Sequence, residues 1–546
     1  MTHTPRRIGV LHEPSAGQWP ARLLASLELA FPVRFERRTP AALSGLDALV
    51  ALGDPAAGRA AAATGLRTLA YAGVETGGDG APVPVRVSTD ERLARPLRGA
   101  VLDDGRMGDP LSGPDREGEL LAAADRGALW SRAGALELAA AAPLELAVDE
   151  SLRDRLQDGR CLALLPLIHL LRELTREIGW QPPAARASII FDDPNLHWPS
   201  YGFVNMGQLL GHAREHGYHL SLATIPLDAW FAHPGAARLV REHPDVFSLV
   251  VHGNDHVARE LGQPATEQEG VALAAQALRR IEAFERRTRV HVDRVMVPPH
   301  EACSEATVRG LLRCGFEGIS MTRPYPWLEQ PERSWLIRPE GTTSLVGWGP
   351  ADLICGGFPV LLRHPFVSRS PTELALRALL GPPLIIYGHH EDLAGGLEVL
   401  ERSVADVNRV ADPRWCSLEE IARANCETRR EGSLLRLRPF ARQLSMSLPA
   451  GVERIALELP PGHGAAASER LVLDGREHAF DDDGRSEPLP VAGPEVNVRL
   501  RRVDAVASDS LPRSRPRPLA LARRVAVEGR DRTLPLLTRA RAGRLG

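Results

Sequence analysis

The sequence contains no lysine, and all 66 of its basic residues are arginine. This absence excludes mechanisms that need a lysine amine: Schiff-base catalysis, a Walker-type phosphate loop and a lysine general base. Because 69 acidic residues leave a formal net charge of only −3, the charge gives no reason to expect a nucleic acid or an anionic membrane as a partner. We therefore expect no nucleic-acid partner.

Cysteine and long apolar runs are also scarce. The six cysteines form no C-x-x-C pair, so small buried thiols are expected rather than a disulfide framework. No run approaches the ~20 apolar residues that a membrane span needs, and the segment MTHTPRRIGVLHEPSAG has no apolar core of a signal peptide. These absences predict no membrane span and a cytoplasmic location.

The length of 546 residues is too great for one compact core. Residues 1–150 alternate short apolar strands with alanine-rich stretches that favour helices, including those within residues 90–150. This alternation is typical of a parallel α/β domain with flavodoxin-like or amidotransferase-like architecture. We interpret it as an accessory domain, followed by a connecting helix within residues 151–184.

The pattern changes within residues 185–428, where apolar strands end in polar residues and alternate with helices. The predicted strands are Ser188–Phe191, His219–Ala223, Phe247–His252, Arg294–Val297, Gly318–Met321 and Leu384–Tyr387. Such a βα repeat predicts a parallel barrel whose strand ends form the active-site face. Residues 429–510 indicate a small antiparallel β domain, and the Arg/Pro-rich tail 511–546 is interpreted as partly extended and wrapping back onto the body.

Two histidines four residues apart, His252 and His256, could bind one divalent cation if they share a helical turn. With one carboxylate as a third ligand, positions stay open for water and substrate, which distinguishes a catalytic site from a closed structural one. The H-x-x-x-H spacing alone is a weak signal in a chain with 18 histidines.

Adjacent aspartates, Asp192 and Asp193, follow the first strand of this region. Neighbouring carboxylates repel each other and are not natural core residues. They also point in different directions, so one can bind a metal while the other addresses a water. The alternative is an Asx-type cap on the following turn, which Pro194 and Asn195 favour.

The segments FDDPN, HGNDH and YGHH, in this order, resemble the motifs of polysaccharide deacetylases, also called the NodB-homology group or carbohydrate esterase family four. The opening motif of that family is T-F-D-D-G and its second motif is H-[S/T]-x-x-H. The resemblance covers roughly residues 185–425, and the segment Trp415–Ile421 resembles the usual closing strand and helix. It implies a deformed (β/α) barrel and a metal-dependent N-deacetylase.

The resemblance also implies roles. Asp192 would be the general base, and Asp193, His252 and His256 would bind one divalent metal, with zinc favoured and cobalt, nickel or iron compatible. His389 would be the general acid. His390 competes with it because successive side chains of a strand face opposite sides.

The chain departs from the family pattern in its third motif. The usual Arg-Pro-Pro-aromatic run is replaced by Val297-Pro298-Pro299-His300, so the arginine that pairs with the catalytic aspartate is missing there. Arg294 or Arg323 is a candidate replacement. The residues expected to contact substrate are Trp198, Pro299, His300 and Arg323; Tyr201, Trp327 and Trp348 either stack on a sugar or belong to the core.

The expected function is therefore removal of an acetyl group from an N-acetylated sugar or glycan. Two alternatives stay open. The barrel could cleave another C–N bond in a small cytoplasmic amide, or it could be a degenerate carbohydrate-binding scaffold without catalysis. In the second case the flanking domains would bind partner proteins, and purified protein would contain no metal.

Overall fold

The structure is a computed structural model that describes residues 4–13, 17–75, 81–113, 118–148, 150–157, 159–325, 327, 345–366, 370–512 and 518–542. These residues form two compact units. The first unit takes the described residues within 1–181, 335–349 and 370–381, and the second takes those within 182–334, 350–369 and 382–546. In the described part of the chain, no helix is both long and apolar enough to cross a membrane.

The first unit is built on one mixed sheet. Its strands are β1 Arg6–His12, β2 Val33–Arg37, β3 Ala48–Leu52, β4 Thr68–Val74, β5 Val83–Val87, β6 Val101–Asp104, β7 Glu119–Ala124, β8 Gly127–Ala133 and β9 Leu136–Ala142, and its first helices are α1 Ala21–Ala30, α2 Pro55–Ala62 and α3 Leu165–Thr175. The order β2-β1-β3-β4-β9 is parallel, and β8, β7, β5 and β6 extend it in antiparallel fashion. A parallel 2-1-3-4-5 order is that of flavodoxin-like sheets, so the predicted α/β architecture is confirmed.

The alanine-rich stretches within residues 90–150 form strands, and the helices predicted for them are wrong. Strand β9 has the sequence LELAAAA, and all seven of its residues are buried. It pairs with β4 on one side and β8 on the other. Alanine has the highest helix propensity, but this preference is worth less than ~1 kcal/mol per residue, and pairing in the centre of a sheet overrides it.

The second unit contains the predicted barrel. Its strands are β10 Arg186–Asp192, β13 Leu220–Thr224, β14 Phe247–His252, β15 Val292–Val297, β16 Gly318–Met321, β18 Phe358–Pro365 and β19 Leu384–Gly388. They pair in this order in parallel, and β19 returns to β10, which closes a seven-stranded barrel. Short strands flank it: β11 Ser200–Tyr201, β12 Val204–Asn205, β17 Asp352–Ile354 and β20 Arg414–Trp415.

Strand β18 is absent from the sequence-based prediction. Its sequence FPVLLRHP is an apolar run with two prolines, and such a run does not distinguish a strand from a buried loop. Without β18, neither β16 nor β19 has its second neighbour, and the barrel would stay open. The strand also carries Arg363, a fully buried cation.

Helices cover the outside of the barrel. They are α4 Met206–His216, α5 Pro234–Glu242, α6 Glu267–Thr288, α7 Glu305–Arg313, α9 Glu398–Ala411 and α10 Leu418–Ala424, whereas α8 Pro371–Leu380 groups with the first unit. Helix α6 begins with a capping box in which Thr266 and Glu269 satisfy each other's backbone N–H groups. This fixed start orients the face of α6 that contacts the barrel mouth.

Two four-stranded sheets follow the barrel. Their strands are β21 Cys426–Glu431, β22 Leu434–Pro439, β23 Gln443–Ser447, β24 Arg454–Leu457, β25 Glu469–Leu473, β26 Arg476–His478, β27 Leu489–Pro490 and β28 Glu495–Arg502. The orders are β21-β22-β24-β27 and β23-β28-β25-β26. All pairs are antiparallel except β22 with β24. The predicted small antiparallel β domain is confirmed.

The chain ends in a helix, α11 Pro518–Ala542. The prediction of a partly extended tail is wrong at this point. Ala520, Arg524 and Asp531 are buried, and their spacing places them on one face of a helix. The tail is helical because that face packs on the second unit, a contact that local composition does not reveal.

Candidate functional site

The sequence motifs lie at the same end of the barrel. Asp192 is the last residue of β10, His252 is the last residue of β14, and His389 follows the end of β19. All three strands run in parallel, so their carboxyl ends meet at one mouth. The register pairs Phe191 with Gly388, which brings the residues that follow them to neighbouring positions on the rim.

Asp193, His252 and His256 converge at this mouth. Nε2 of His256 lies 3.1 Å from Oδ1 of Asp193, and Nε2 of His252 lies 3.6 Å from the same atom. One potential ligand atom from each residue lies within 4.8 Å of the others. One carboxylate oxygen and two imidazole nitrogens are a donor set suited to a divalent cation.

His252 is held in the orientation that a metal ligand needs. Its Nδ1 lies 2.9 Å from the carbonyl oxygen of Val297, so Nδ1 donates there and the lone pair is on Nε2. Burial lowers the pKa of His252 to about 4. The ring is therefore neutral near pH 7, and Nε2 directs its lone pair toward Asp193.

His256 lies in a loop, and the predicted helical turn linking it to His252 is wrong. His252 ends a strand, Gly253 has φ 62° and His256 has φ 53°. A Cβ at Gly253 would lie 2.6 Å from both Oε1 of Glu260 and Cγ of Pro299. The chain therefore turns back by a tight, glycine-dependent loop, and the two imidazoles meet through that turn.

Glu260 holds this loop. Its Oε1 accepts hydrogen bonds from the backbone N–H groups of Asn254, Asp255 and His256, at 2.7, 3.0 and 2.8 Å. Arg280 of α6 donates to Oδ1 of Asn254 at 2.7 Å and to Oδ1 of Asp255 at 2.5 Å. A single carboxylate thus gathers three successive amides, and the cation on α6 anchors the side chains between the two histidines.

Asp193 has the geometry and charge of a potential metal ligand. Its backbone has φ 80°, an uncommon conformation for a residue other than glycine. Its Oδ1 is buried and has no hydrogen-bond partner among the described residues, although Nε2 of His256 lies 3.1 Å away. Burial raises the pKa of this carboxyl, but the imidazoles of His256 and His252 outweigh it and leave the pKa far below its ordinary value. An ionised oxygen without a donor fits a metal.

Asp192 pairs with an arginine that the sequence analysis missed. Nη1 of Arg363 donates to Oδ1 of Asp192 at 2.8 Å. Nε and Nη2 of Arg363 donate to Oε1 of Glu301 at 2.9 and 2.6 Å, and its guanidinium carbon lies 4.1 Å from the ring centre of Tyr387. The suggestion of Arg294 is wrong, since it pairs with Glu285 at 2.7 Å. Arg363 supplies the cation instead.

Arg363 keeps Asp192 ionised. Burial raises the pKa of Asp192, but the charge of Arg363 and that of His252, together with the hydrogen bond from Arg363 and the charge of His389, lower it below its ordinary value. The carboxylate therefore stays ionised, and Arg363 orients one of its oxygens. Glu301 in turn neutralises the second side of the guanidinium.

His389 and His390 differ in their surroundings. His389 is exposed at the mouth, and its charge lowers the pKa of Asp192. His390 is 2% exposed, and its ring lies edge-on to Tyr201 at 5.4 Å. Nε2 of His390 lies 3.8 Å from Oδ1 of Asp531. Of the two, only His389 is exposed at the mouth.

Helix α11 lines part of the rim. Arg524 donates to Asp228, which follows β13, at 2.6 Å, and both side chains are 5% exposed. Tyr201 donates to Asp531 at 2.7 Å, and Nη1 of Arg523 donates to the carbonyl oxygen of His256 at 3.3 Å. The helix thus contacts loops that follow β10, β13 and β14, next to the two histidines.

The residues predicted to contact substrate are placed differently from one another. His300 is exposed with φ 57°, and its ring centre lies 5.2 Å from that of His256, so it borders the triad. Trp198 is 54% exposed and stacks on His233 at 5.5 Å. Pro299 is buried against Gly253, which disfavours substrate contact. Arg323 follows β16, and its Nε has no hydrogen-bond partner among the described residues.

Three other aromatic residues belong to packing contacts. Tyr201 is 1% exposed, and Trp327 lies edge-on to Tyr325 at 5.8 Å. Trp348 belongs to the first unit, where it lies edge-on to Phe31 at 5.8 Å. Each of these contacts favours the packing alternative over sugar stacking.

The signal that could have identified Arg363 is a lone charge inside an apolar run. A charge in FPVLLRHP must be paired if the run is buried, and its partner must be an acid at a strand end. Glu260 and Glu301 have no comparable signal. They follow the motif residues His256 and His300 closely. Only the three-dimensional structure shows which groups donate hydrogen bonds to their carboxylates.

No family model matches the chain, and no curated protein matches it. Solved structures that align with it include the Xyl-CE4 domain of a multidomain xylanase from the hindgut metagenome of Trinervitermes trinervoides, at 14% identity over 45% of this chain and 95% of that one, with a TM-score of 0.26. A putative polysaccharide deacetylase from Mycobacterium smegmatis aligns at 17% identity over 44% and 90%, with a TM-score of 0.30.

A further solved structure that aligns is a CE4 family pseudoenzyme from Bacillus anthracis, at 10% identity over 42% of this chain and 62% of that one, with a TM-score of 0.22. These neighbours are members of the CE4 family that the motifs resemble, one of them a pseudoenzyme, and they cover under half of this chain. At such TM-scores the alignments carry no weight for the site. The case for it rests on its own geometry.

Proposed function

We propose that this chain is a metal-dependent hydrolase that removes an acetyl or other N-acyl group from an N-acylated sugar or glycan. The observation that carries the proposal is the convergence of Asp193, His252 and His256 beside an ionised Asp192 at a barrel mouth. One acid and two imidazoles suit a cation, and a second acid beside them suits a base.

Asp193, His252 and His256 would hold one divalent metal ion, most suitably zinc, although cobalt, nickel and iron accept the same donors. When bound, the metal would polarise the amide carbonyl and lower the pKa of a water. The backbone loop held by Glu260 and the hydrogen bond from His252 to Val297 fix the directions of the two imidazoles. Preorganisation of this kind commonly strengthens metal binding.

Asp192 accepts a proton from the attacking water, because Arg363 keeps its carboxylate ionised and orients it. The water oxygen forms a bond to the acyl carbon, and the carbon–nitrogen bond breaks. His389 donates a proton to the departing nitrogen, which leaves as an amine. The products are acetate and an amino sugar, and one water is consumed. His300 and the exposed ring of Trp198 would contact the sugar.

Metal content tests the first half of the proposal. We expect about one divalent ion per chain by elemental analysis of the purified protein, and loss of that ion in Asp193→Ala. The control is Asp125→Ala, an exposed acid of the first unit that pairs with Arg86. Wild-type protein with no more metal than Asp193→Ala would reject a metal site and favour a carbohydrate-binding scaffold.

Product analysis tests the second half. We expect release of acetate from N-acetylglucosamine oligomers, abolished by chelation and restored by added zinc. Hydrolysis of small cyclic amides or ureides with no release of acetate from the sugars would replace the proposed substrate class by the alternative one. The cytoplasmic location stays a prediction, to be tested by cell fractionation.

A further inference from the structure

The first unit contains a cavity of about 200 Å³ that has no part in the proposed reaction. One wall is a face of α3 that carries Ile168, His169 and Arg172, and the opposite wall is the loop Glu91–Arg98. Leu379 of α8 also lines the cavity. One water needs only ~10–15 Å³ of such space, so the cavity has room for a small molecule.

The cavity is lined by more basic than acidic side chains. Its arginines are Arg92, Arg98, Arg172 and Arg176, and its acids are Glu91 and Glu173. Glu173 is already paired with Arg67 and lies 3.6 Å from Arg132. Burial, followed by the charges of Arg132 and Arg67, lowers the pKa of His169 to about 3, so this histidine adds no charge. The cavity is left with a positive excess.

Arg98 and Arg172 reach into this space without an acidic partner. Arg172 donates to the carbonyl oxygen of Leu379, and Arg98 donates to the carbonyl oxygens of Leu93 and Glu91. In the part of the chain that the structure describes, neither guanidinium forms an ion pair. Burial lowers the pKa of Arg172 to about 10, and no anion offsets this effect. Burial of a cation without a counter-charge lowers the free energy of unfolding.

We propose that this cavity binds a small organic oxyanion, a carboxylate or a phosphate monoester with a short apolar part, whose oxygens contact Arg172 and Arg98. The planar guanidinium matches the geometry of both kinds of oxyanion. The apolar part would lie against Leu93, Leu97 and Ile168, which line the same space. The volume excludes a long polymer as the occupant of this site.

Calorimetric titration of the full chain tests the proposal. The probes are butyrate, glycerol 3-phosphate and inorganic phosphate at constant ionic strength, each titrated into wild type and into Asp193→Ala. We expect saturable binding of at least one probe, equal in both proteins because the cavity is not the metal site. Preference for butyrate identifies a carboxylate, and preference for glycerol 3-phosphate identifies a phosphate monoester.

Arg172→Met is the decisive variant, with Arg34→Met as control because Arg34 is an exposed arginine of the same unit, paired with Glu28. We expect the dissociation constant to rise at least tenfold in Arg172→Met and to stay unchanged in Arg34→Met. Removal of an uncompensated cation should also raise the melting temperature of the ligand-free protein. A merely structural arginine would lower it.

Arg98→Gln provides a second variant if Arg172→Met does not fold, and it should also weaken binding at least tenfold. The proposal is overturned if no probe binds saturably up to ~10 mM. It is equally overturned if binding is lost in Asp193→Ala, or if the folded cavity variants bind as wild type does.

Discussion

Nη1 of Arg363 lies 2.8 Å from Oδ1 of Asp192, although the two residues are 171 positions apart in the chain. The guanidinium bridges Asp192 and Glu301 and lies over the ring of Tyr387. Strand β18 thus supplies a cation for Asp192, in place of the arginine that the third motif lacks. The altered third motif therefore does not leave Asp192 without a paired cation.

Arg363→Gln should reduce kcat/KM by roughly 10² or more, because the base loses its orienting cation. Removal of the cation raises the pKa of Asp192. The carboxylate then forms only at higher pH, so the acid limb of the pH–rate profile should move upward. The measurement is kcat/KM against pH for both proteins.

The matched control is Arg442→Gln, which breaks another buried pair, Arg442 with Glu469 at 2.7 Å in the β domain. Each of the two substitutions should cost about 3–5 kcal/mol of unfolding free energy. Only Arg363→Gln should move the acid limb. Equal pH profiles for wild type and a folded Arg363→Gln would show that Arg363 does not act on Asp192.

Glu260→Gln should weaken metal binding by about 10–100-fold while the fold is kept, because one amide oxygen replaces a charged acceptor of three N–H groups. The loop that carries His256 would then lose its fixed path. Competition with a fluorescent chelator measures the change. The control is Glu305→Gln, because Glu305 is an exposed acid paired with Arg309, and this variant should bind metal as tightly as wild type. If Glu260→Gln also bound metal as tightly as wild type, Glu260 would not anchor the loop.

His389→Ala and His390→Ala should have opposite effects. His389 is exposed, so its loss should lower kcat by about 10²–10³ at nearly constant KM and leave stability within ~0.5 kcal/mol. His390 is buried against Tyr201, so its loss should lower the melting temperature. Steady-state kinetics and thermal unfolding of both variants decide between them. If His390→Ala alone abolishes turnover in a folded protein, the assignment of the acid is reversed.

Asp293→Asn should stabilise the protein above pH 7 and leave it unchanged near pH 4. Burial raises the pKa of Asp293 to about 7, and the charge of Glu419 adds to this effect. His291, Arg423 and Glu317 are the other charged groups around it. In the folded state the acid stays protonated while the unfolded acid ionises near pH 3.9, so wild-type stability falls as pH rises from about 4 to 7.

The resulting loss of unfolding free energy is at most about 4 kcal/mol, because each pH unit between the unfolded and folded pKa values contributes about 1.36 kcal/mol. The asparagine oxygen can still accept from the N–H of Glu419, which lies 3.1 Å from Oδ2 of Asp293, so the helix α10 cap is kept. Urea unfolding at pH 4 and at pH 8 measures the difference. An equal change in stability at the two pH values would exclude titration of Asp293 as its cause.

Arg524→Met should destabilise the second unit by about 3–5 kcal/mol, because it leaves the buried Asp228 without its cation. Asp228→Asn added to Arg524→Met should recover part of the loss, since the unpaired charge is then gone. Arg530→Met serves as control because Arg530 is 66% exposed. Denaturant titration of these three variants and of Asp228→Asn alone tests the coupling; additive losses would mean that the two residues act independently.

The local sequence was sufficient to locate the barrel, the strand ends and the motif residues. Strands such as β10 and β14 are apolar runs that end at Asp192 and His252. A pattern of this kind involves only residues that are close together in the chain, so the sequence alone reveals it. The parallel α/β architecture of the first unit also followed from alternation. The acids and imidazoles of the proposed site could therefore be named, but not their distances.

Only the tertiary structure decided the rest. It turned LELAAAA into a central strand, made the tail a helix, placed His256 in a loop rather than a helical turn, and brought Arg363 to Asp192. Each outcome depends on a partner far along the chain whose burial or charge outweighs a local preference of less than ~1 kcal/mol per residue. The sequence by itself determined which groups are candidates for the chemistry; the fold decided which cation keeps Asp192 ionised.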